Sequence, residues 1–239
     1  MLKVDNISAG YGKLQILTDV SLEALPGELT IVVGPNGSGK STLLKSIAGL
    51  TNIYKGSVTM DGKALNGHPP HVIARSGLAY LPQTESVFTK LTVTENFKMA
   101  AYMVAKSEYE GRLKESLEVF PQLNAYLASK VVNLSGGERQ MVAMTMALLR
   151  KPQVIMFDEP TANLSPKYST EVLKTIQTLG KERGLTIVLV EQNAKRALEV
   201  GDKACLLVGG KNAFTGTAKE LLSHQELARM YLGMKAAGV

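Results

Sequence analysis

The sequence of 239 residues has no tryptophan and one cysteine. A single cysteine excludes an internal disulfide, and Cys205 lies within the apolar residues 204–208. We therefore expect a buried, unreactive thiol and a reducing compartment. Apolar runs such as residues 29–33 and 186–190 are far shorter than the roughly 20 residues of a membrane-spanning helix. Residues 1–5 lack the apolar core of a signal peptide, so neither a membrane span nor a signal peptide is expected.

Basic residues outnumber acidic ones, but they form no block. The chain has 27 Lys and Arg against 21 Asp and Glu, a net charge of 27 − 21 = +6. Positive charge of this kind favours nucleic acid, an anionic membrane surface or a polyanionic ligand. Because the basic residues are scattered along the chain, we interpret them as a solvated surface and expect no nucleic-acid partner.

Apolar runs followed by helical patterns recur along the chain. Alternation of this type predicts βαβ units on a mostly parallel sheet. Since the runs are continuously apolar, both faces of that sheet should be covered. The pairs of run and helical pattern are residues 29–33 and 41–50, 154–157 and 168–179, and 186–190 and 194–200.

Other stretches break this alternation. Residues 1–28 and 53–65 alternate and turn often, which predicts short antiparallel strands. Residues 92–127 are predicted to be helical, because residues 94–96 are a candidate helix start and residues 110–120 have apolar residues at helical spacing. The sequence predicts a single domain of residues 1–239. Its core and antiparallel β subdomain would cover about residues 1–83 and 151–239, with a helical subdomain inserted at about residues 84–150.

Residues 34–41 match the phosphate-loop pattern G-x-x-x-x-G-K-[ST] in full, between an apolar run and a helical pattern. Glycines let backbone N–H groups turn toward phosphate oxygens at the positive end of a helix. Lys40 should reach the β- and γ-phosphates of ATP, and Ser41 should place its hydroxyl on Mg²⁺. The alternative is a glycine-rich turn that binds nothing. The predicted phosphate-binding residues are Gly34, Pro35, Asn36, Gly37, Ser38, Gly39, Lys40, Ser41 and Thr42. The predicted fold class is α/β, with a P-loop NTPase (RecA-like) parallel-sheet core.

A second motif consists of an apolar run that ends in two carboxylates, Asp158 and Glu159. Asp158 is predicted to hold the Mg²⁺ shell, and Glu159 to orient or deprotonate the attacking water. Adjacent residues on a strand point to opposite faces, so the two roles are compatible only where the strand is ending. The alternative is a solvated charge pair at the end of a strand. Because a phosphate loop lies upstream, we favour the metal and water roles.

Between these motifs, residues 134–140 read L-S-G-G-E-R-Q and open a helical pattern. A serine and two glycines at a helix N-terminus form a second anion-binding site. The segment matches L-S-G-G-x-x-Q, the signature of ABC-type ATPases, and the chain resembles that family from residue 1 to about residue 233. In that family, the signature of one subunit caps the γ-phosphate of ATP held by the other. The resemblance therefore implies a head-to-tail dimer in which Ser135, Gly136 and Gly137 act on the partner's nucleotide.

The same resemblance assigns further residues. Tyr11 lies where the family stacks an aromatic ring on adenine, although a tyrosine in the core of the β subdomain is the alternative. Gln83 matches the glutamine that contacts Mg²⁺ and links the core to the helical subdomain. Residues 162–165 match the loop that crosses to the partner subunit. Ser165 stands where many relatives have aspartate, so the hydrogen bond made there is in question.

Gln192 occupies the position of the family's switch histidine, which hydrogen-bonds the γ-phosphate. Glutamine keeps an N–H donor of similar reach but cannot carry a proton or a charge. We expect the positioning role to be retained and the charge stabilisation to be lost. The candidate catalytic residues are therefore Lys40, Glu159 and Gln192, with Glu159 as the base.

Local details resemble one subgroup, the ATPases of branched-chain (hydrophobic) amino-acid importers, and in particular the shorter of their two ATPases. The subgroup has V-E-Q-N-A in place of the histidine segment and a serine or alanine in place of the aspartate before proline. The segments that carry this resemblance are residues 87–88, 91–96, 160–166, 190–194 and 231–233.

Membership of this subgroup implies several partners. They are a second ATPase subunit in a homo- or heterodimer, membrane permeases that dock on the helical subdomain, and an external solute-binding protein that acts indirectly. The location would be peripheral, at the cytoplasmic face of the cell membrane. The alternatives are a transport ATPase for another solute, such as urea, a short amide or an exported lipid, and a non-transport ABC ATPase.

Overall fold

Strands and helices alternate along most of the chain. The computed structural model describes residues 1–84 and 86–231, so residues 232 and 233 of the closing segment lie outside the described residues. The strands are β1 (Leu2–Tyr11), β2 (Leu14–Ala24), β3 (Leu29–Val33), β4 (Asn52–Met60), β5 (Lys63–Ala64), β6 (Leu78–Leu81), β7 (Val154–Asp158), β8 (Thr186–Val190), β9 (Lys203–Val208) and β10 (Lys211–Thr217). The helices are α1 (Lys40–Ile47), α2 (Pro70–Arg75), α3 (Val93–Ala100), α4 (Lys106–Leu117), α5 (Gly136–Leu148), α6 (Pro166–Arg183), α7 (Ala194–Val200), α8 (Ala218–Ser223) and α9 (Gln225–Tyr231).

A six-stranded sheet with the order β10-β9-β3-β8-β7-β6 forms the core. Its strands pair in parallel from β9 to β6, and only β10 is antiparallel, at the edge. Strands β3, β7 and β8 are five-residue runs that are buried throughout, as expected for strands covered on both faces. All three predicted pairs of strand and helix are present, so the prediction of a mostly parallel α/β core is confirmed.

The two faces of this sheet pack against different layers. On β3, Ile31 and Val33 belong to the same buried cluster as apolar residues of helices α5, α6 and α7. Val32 points the other way and packs against α1 and the strands of a second sheet. This alternation follows from the two-residue repeat of a strand. The phosphate-loop helix α1 is therefore held between the two sheets.

The second sheet is antiparallel and has the order β2-β1-β4-β5. The expectation of antiparallel strands in residues 1–28 and 53–65 is therefore confirmed, but two of the strands are not short: β1 has 10 residues and β2 has 11. Their pairing contains register shifts, and Asn6 and Asp19 adopt positive φ angles of 46° and 50°. Bulges of this type bend long strands, which allows the sheet to wrap over α1.

Helices occupy the stretch of residues 92–127, as predicted. Helix α3 begins after Thr92, whose hydroxyl accepts a hydrogen bond from the N–H of Glu95 in a capping box. Helix α4 follows, and a 3-10 helix covers Pro121–Tyr126. The limits proposed for the helical subdomain, residues 84–150, stay a prediction.

Cys205 lies on β9 and is 1% exposed. Burial raises the pKa of its thiol to about 12, so little thiolate forms at neutral pH. The expectation of a buried, unreactive thiol agrees with this environment. Over residues 1–84 and 86–231, no helix has the length and apolar character needed to cross a membrane.

Asn96, on α3, fixes the segment that precedes this helix. The residue is 0% exposed, its Oδ1 accepts from the N–H of Phe88 at 2.7 Å, and its Nδ2 donates to the carbonyl oxygens of Phe88 and Thr92. We expect Asn96→Ala to lower the free energy of unfolding by about 2 kcal/mol, because it leaves backbone groups unpaired. Urea unfolding measures the change. Asn124→Ala is the control, since that exposed amide makes one hydrogen bond, to Pro121; an equal loss in both variants would contradict the assignment.

Candidate active site

Four segments that are distant in sequence meet at one edge of the core sheet. The carboxyl ends of neighbouring parallel strands lie side by side, and such an edge is where open α/β sheets bind ligands. The phosphate loop follows β3, Gln192 follows β8, Asp158 ends β7, and Gln83 follows β6. Because β8 lies between β3 and β7, Gln192 leaves the sheet between the phosphate loop and the two carboxylates.

The phosphate loop has a backbone that only glycine can supply at two points. Gly34 has a φ of 149°, and a Cβ there would lie 2.0 Å from the carbonyl oxygen of Leu207. Gly39, the N-cap of α1, has a φ of 99°, and its Cβ would lie 2.6 Å from a methyl group of Leu17. The loop is thus packed tightly against its neighbours while it presents backbone N–H groups at the start of α1.

Lys40 lies beneath this loop and is 5% exposed. Its Nζ donates to the carbonyl oxygens of Gly34 at 3.0 Å and Pro35 at 3.1 Å. Burial lowers the pKa of the ammonium group, and the nearby Glu159 and Asp158 act in the opposite direction. The hydroxyl of Ser38 is also buried, with no hydrogen-bond partner in the part of the chain that is described. A buried ammonium and an unpaired hydroxyl in a glycine loop fit the oxygens of a polyphosphate.

Asp158 accepts two hydrogen bonds, one at each carboxylate oxygen. Ser41 donates to Oδ1 at 3.0 Å, and Tyr80 donates to Oδ2 at 3.0 Å. The carboxylate is 4% exposed. A hydroxyl and a carboxylate this close are oxygen donors of the type that Mg²⁺ prefers. The residues predicted from two separate motifs, Ser41 and Asp158, are therefore in direct contact.

Tyr80 is a site residue that the sequence analysis missed. It belongs to no motif, and only the register between β6 and β7, which pairs Tyr80 with Met156, places it near Asp158. Burial and the neighbouring carboxylate raise the pKa of its phenol, so the hydroxyl stays protonated and donates. The signal in the sequence is limited to its position, three residues before Gln83.

Glu159 follows the last residue of β7 and has a positive φ of 51°. This conformation is uncommon for a residue with a side chain and often occurs at functional sites. Because the backbone turns at Glu159, the Glu159 carboxylate takes a different direction from the Asp158 carboxylate. Gln83 Nε2 donates to Glu159 Oε2 at 2.9 Å, so the structure brings these two predicted residues together.

A cavity of about 390 Å³ is lined by Tyr11 and by six of the nine predicted phosphate-loop residues. Tyr11 lies in its wall and is 43% exposed, which disagrees with a role in the core of the β subdomain. Ile16, which the sequence analysis did not select, is a further wall residue. The lining residues are Tyr11, Ile16, Asn36, Gly37, Gly39, Lys40, Ser41, Thr42 and Glu159.

The signature residues and Gln192 do not line this cavity, and the lining also lacks Gly34, Pro35, Ser38, Gln83 and Asp158. The signature residues Ser135, Gly136 and Gly137 form the start of α5, where Ser135 makes a capping box with Glu138. Gln192 is exposed, and its side chain makes no hydrogen bond within residues 1–84 and 86–231, although its backbone N–H donates to Glu191. Neither group lines the cavity.

The sheet order and the phosphate loop define a phosphate-loop NTPase. The sequence profile of the ABC transporter family matches residues 17–162. The chain therefore belongs to the ABC transporter family, and it is an ATP-binding, ATP-hydrolysing member.

Two relatives cover nearly the whole chain. The probable branched-chain amino acid transport ATP-binding protein LivF of Archaeoglobus fulgidus is 50% identical, over 98% of this chain and 99% of its own. The high-affinity branched-chain amino acid transport ATP-binding protein BraG of Pseudomonas aeruginosa is 38% identical, over 98% of this chain and 100% of its own. The predicted resemblance to this subgroup is confirmed.

Among solved structures, a dimeric ATP-binding cassette in a post-hydrolysis state, bound to ADP and Pi, superimposes with a TM-score of 0.79. The two sequences are 26% identical, and the match covers 91% of this chain and 99% of the other. The fold class predicted from the sequence is confirmed.

The hydrogen bond from Tyr80 to Asp158 should contribute to stability. We expect Tyr80→Phe to lower the free energy of unfolding by about 1–2 kcal/mol, because a buried carboxylate loses a donor. Tyr109→Phe is the matched control, since the Tyr109 hydroxyl is buried without a partner among the described residues. Urea unfolding should show the control to be neutral or stabilised, whereas equal changes would contradict a role for the Tyr80 hydroxyl.

Proposed function

We propose that this chain powers the import of branched-chain (hydrophobic) amino acids by binding and hydrolysing MgATP. The observation that carries the hydrolytic part is the pair of contacts at one sheet edge, Ser41 with Asp158 and Gln83 with Glu159. The solute is inferred from the two branched-chain amino acid transport proteins, which match this chain over nearly its full length.

The nucleotide would lie along the cavity that joins Tyr11 to the phosphate loop. Tyr11 would stack on adenine, and the loop would surround the β- and γ-phosphates. Lys40 would exchange its hydrogen bonds with loop carbonyls for bonds with phosphate oxygens. Its ammonium is already desolvated, so it would act on the phosphates in a medium where charges interact strongly.

Oxygen and amide groups next to the loop fit a magnesium ion. Ser41 and Asp158 would hold the ion, and Gln83 would contact it from the end of β6. When bound, Mg²⁺ would neutralise charge on the phosphates. Tyr80 would continue to hold Asp158 in its orientation, as outer-shell hydrogen bonds do in metal sites.

Glu159 is the proposed base. Its carboxylate lines the cavity, and the hydrogen bond from Gln83 orients it. It would accept a proton from the attacking water or align that water with the γ-phosphate. Gln192 would donate an N–H bond to the γ-phosphate from the end of β8, which positions the phosphate without adding charge.

The proposed site is incomplete within one chain. Ser135 and Gly136 are exposed at the N-terminus of α5, outside the cavity. They would cap the γ-phosphate of a second ATPase subunit in a head-to-tail dimer, and residues 162–165 would cross the same interface. The dimeric state of the solved relative supports this arrangement.

Permeases would dock on a groove of about 340 Å³ between α2, β6, α3 and α5. Large apolar side chains are exposed there, with Tyr102 at 74% and Met103 at 53%. Arg75 and Arg150 add positive charge. Docking would hold the chain at the cytoplasmic face of the cell membrane, and the external solute-binding protein would act on it only through the permeases.

The central test removes the proposed base. We expect Glu159→Gln to bind MgATP without cleaving it and to form an ATP-stabilised dimer, visible by light scattering. Lys40→Ala in the same background should stay monomeric, because the phosphate contacts are lost. A Glu159→Gln variant that remains monomeric at saturating MgATP, while the wild type hydrolyses ATP, would contradict the dimer mechanism.

A second test concerns Gln192. Gln192→Ala should slow hydrolysis by about tenfold, equivalent to ~1.4 kcal/mol of positioning, and Gln192→His should retain or raise the rate. Steady-state ATPase assays measure both variants. An unchanged rate for the alanine variant would show that the side chain does not contact the γ-phosphate.

A further inference from the structure

Glu191, the residue before Gln192, is a buried carboxylate to which no role has been given above. It is 3% exposed and has no partner in any of the ion pairs found among residues 1–84 and 86–231. Instead, Oε1 accepts from the backbone N–H of Thr161 at 3.1 Å, and Oε2 accepts from the N–H of Gln192 at 3.2 Å. One carboxylate thus bridges two loops.

The two loops are the ones that would carry the hydrolytic groups. Thr161 lies two residues after Glu159, and the N–H of Ala162 donates to the carbonyl oxygen of Glu159 at 3.1 Å. The N–H of Glu159 in turn donates to the carbonyl oxygen of Val190 on β8. The side chain of Glu191 therefore closes a second connection between the turn at Glu159 and the end of β8.

Only a carboxylate suits this bridge. Two inward-pointing N–H groups need two acceptor atoms, and a glutamine in the same place has one acceptor and one donor group. Burial raises the pKa of Glu191 above its usual value, although hydrogen bonding with the Thr161 side chain and with the backbone N–H groups of Thr161 and Gln192 acts in the opposite direction. Burying a carboxylate is costly unless its oxygens are paired, and here backbone N–H groups of two loops make the pairing, not a cation.

We propose that Glu191 is a positioning residue that holds the backbone of Gln192 to the turn after Glu159, so that the proposed base and the proposed γ-phosphate donor keep one relative placement. This inference rests on the proposed function of Glu159 and Gln192. Glu191 does not line the nucleotide cavity, so its effect should fall on hydrolysis and not on nucleotide binding.

The test is Glu191→Gln, which keeps the shape but turns an acceptor into a donor facing an N–H group. We expect kcat to fall by about tenfold, with a KM for ATP within about twofold of the wild type. Glu28→Gln is the matched control, because Glu28 is a half-buried carboxylate just before β3, at the opposite edge of the sheet. Its kcat and KM should equal those of the wild type.

A double-mutant cycle separates positioning from general destabilisation. If Glu191 acts partly through Gln192, then Glu191→Gln should reduce kcat by much less in the Gln192→Ala background than in the wild type. The proposal would be overturned if the double variant lowered kcat by the product of the two single-variant factors. It would also be overturned if a rise in KM accounted for the whole loss of kcat/KM. If Glu191→Gln does not fold, Glu191→Asp gives the same test. The aspartate keeps both acceptor oxygens, but its side chain is too short to reach both amides. A wild-type kcat in Glu191→Asp would also overturn the proposal.

Different variants test the proposed function and the role of Glu191. Full activity of Glu159→Gln would remove the proposed function, and with it the basis for this assignment. Only the positioning role of Glu191 would be rejected if Glu191→Gln were fully active while the wild type hydrolyses ATP and Glu159→Gln is inactive.

Discussion

The parallel pairing of β3, β8 and β7 is the constraint on which the site depends. It places the phosphate loop, the segment after β8 and the carboxylates of β7 at one edge, although they are separated by long stretches of sequence. The five-residue strands are buried on both faces, so their register is set by the two layers that cover them. A slip of one residue in β7 would turn Asp158 away from Ser41.

Lys40, Asp158 and Glu191 are buried at this edge and are hydrogen-bonded to neighbouring groups, whereas the Ser38 hydroxyl has no partner among the described residues. Lys40 donates to loop carbonyls, Asp158 accepts from Ser41 and Tyr80, and Glu191 accepts from two backbone amides. A buried polar group without a hydrogen bond costs free energy. The hydrogen bonds between neighbouring segments therefore hold those segments in position. The positive φ of Glu159 is tolerated within this framework.

The sequence predicts what is local and misses what depends on register. The phosphate loop and the carboxylate pair are short motifs whose neighbours in sequence supply their context, so their residues could be chosen directly. The βαβ alternation likewise predicts the core sheet. Tyr80 and Glu191 could not be found in this way, because their partners lie on other strands or loops. The lengths of β1 and β2 were also missed, since bulges extend pairing across irregular positions.

The separation of the signature from the cavity carries a mechanistic consequence. Ser135 and Gly136 are exposed at the start of α5, whereas the phosphate loop lies at the start of α1 and lines the cavity. Under the proposed function, the γ-phosphate would lie between two such helix starts that come from different subunits. Under the proposed function, dimer closure would therefore complete the electrostatic environment of the γ-phosphate. The bridge at Glu191 would then link that closure to Glu159, because the loop of residues 162–165 follows directly after Thr161. Binding energy at the interface would in this way be converted into the placement of the base.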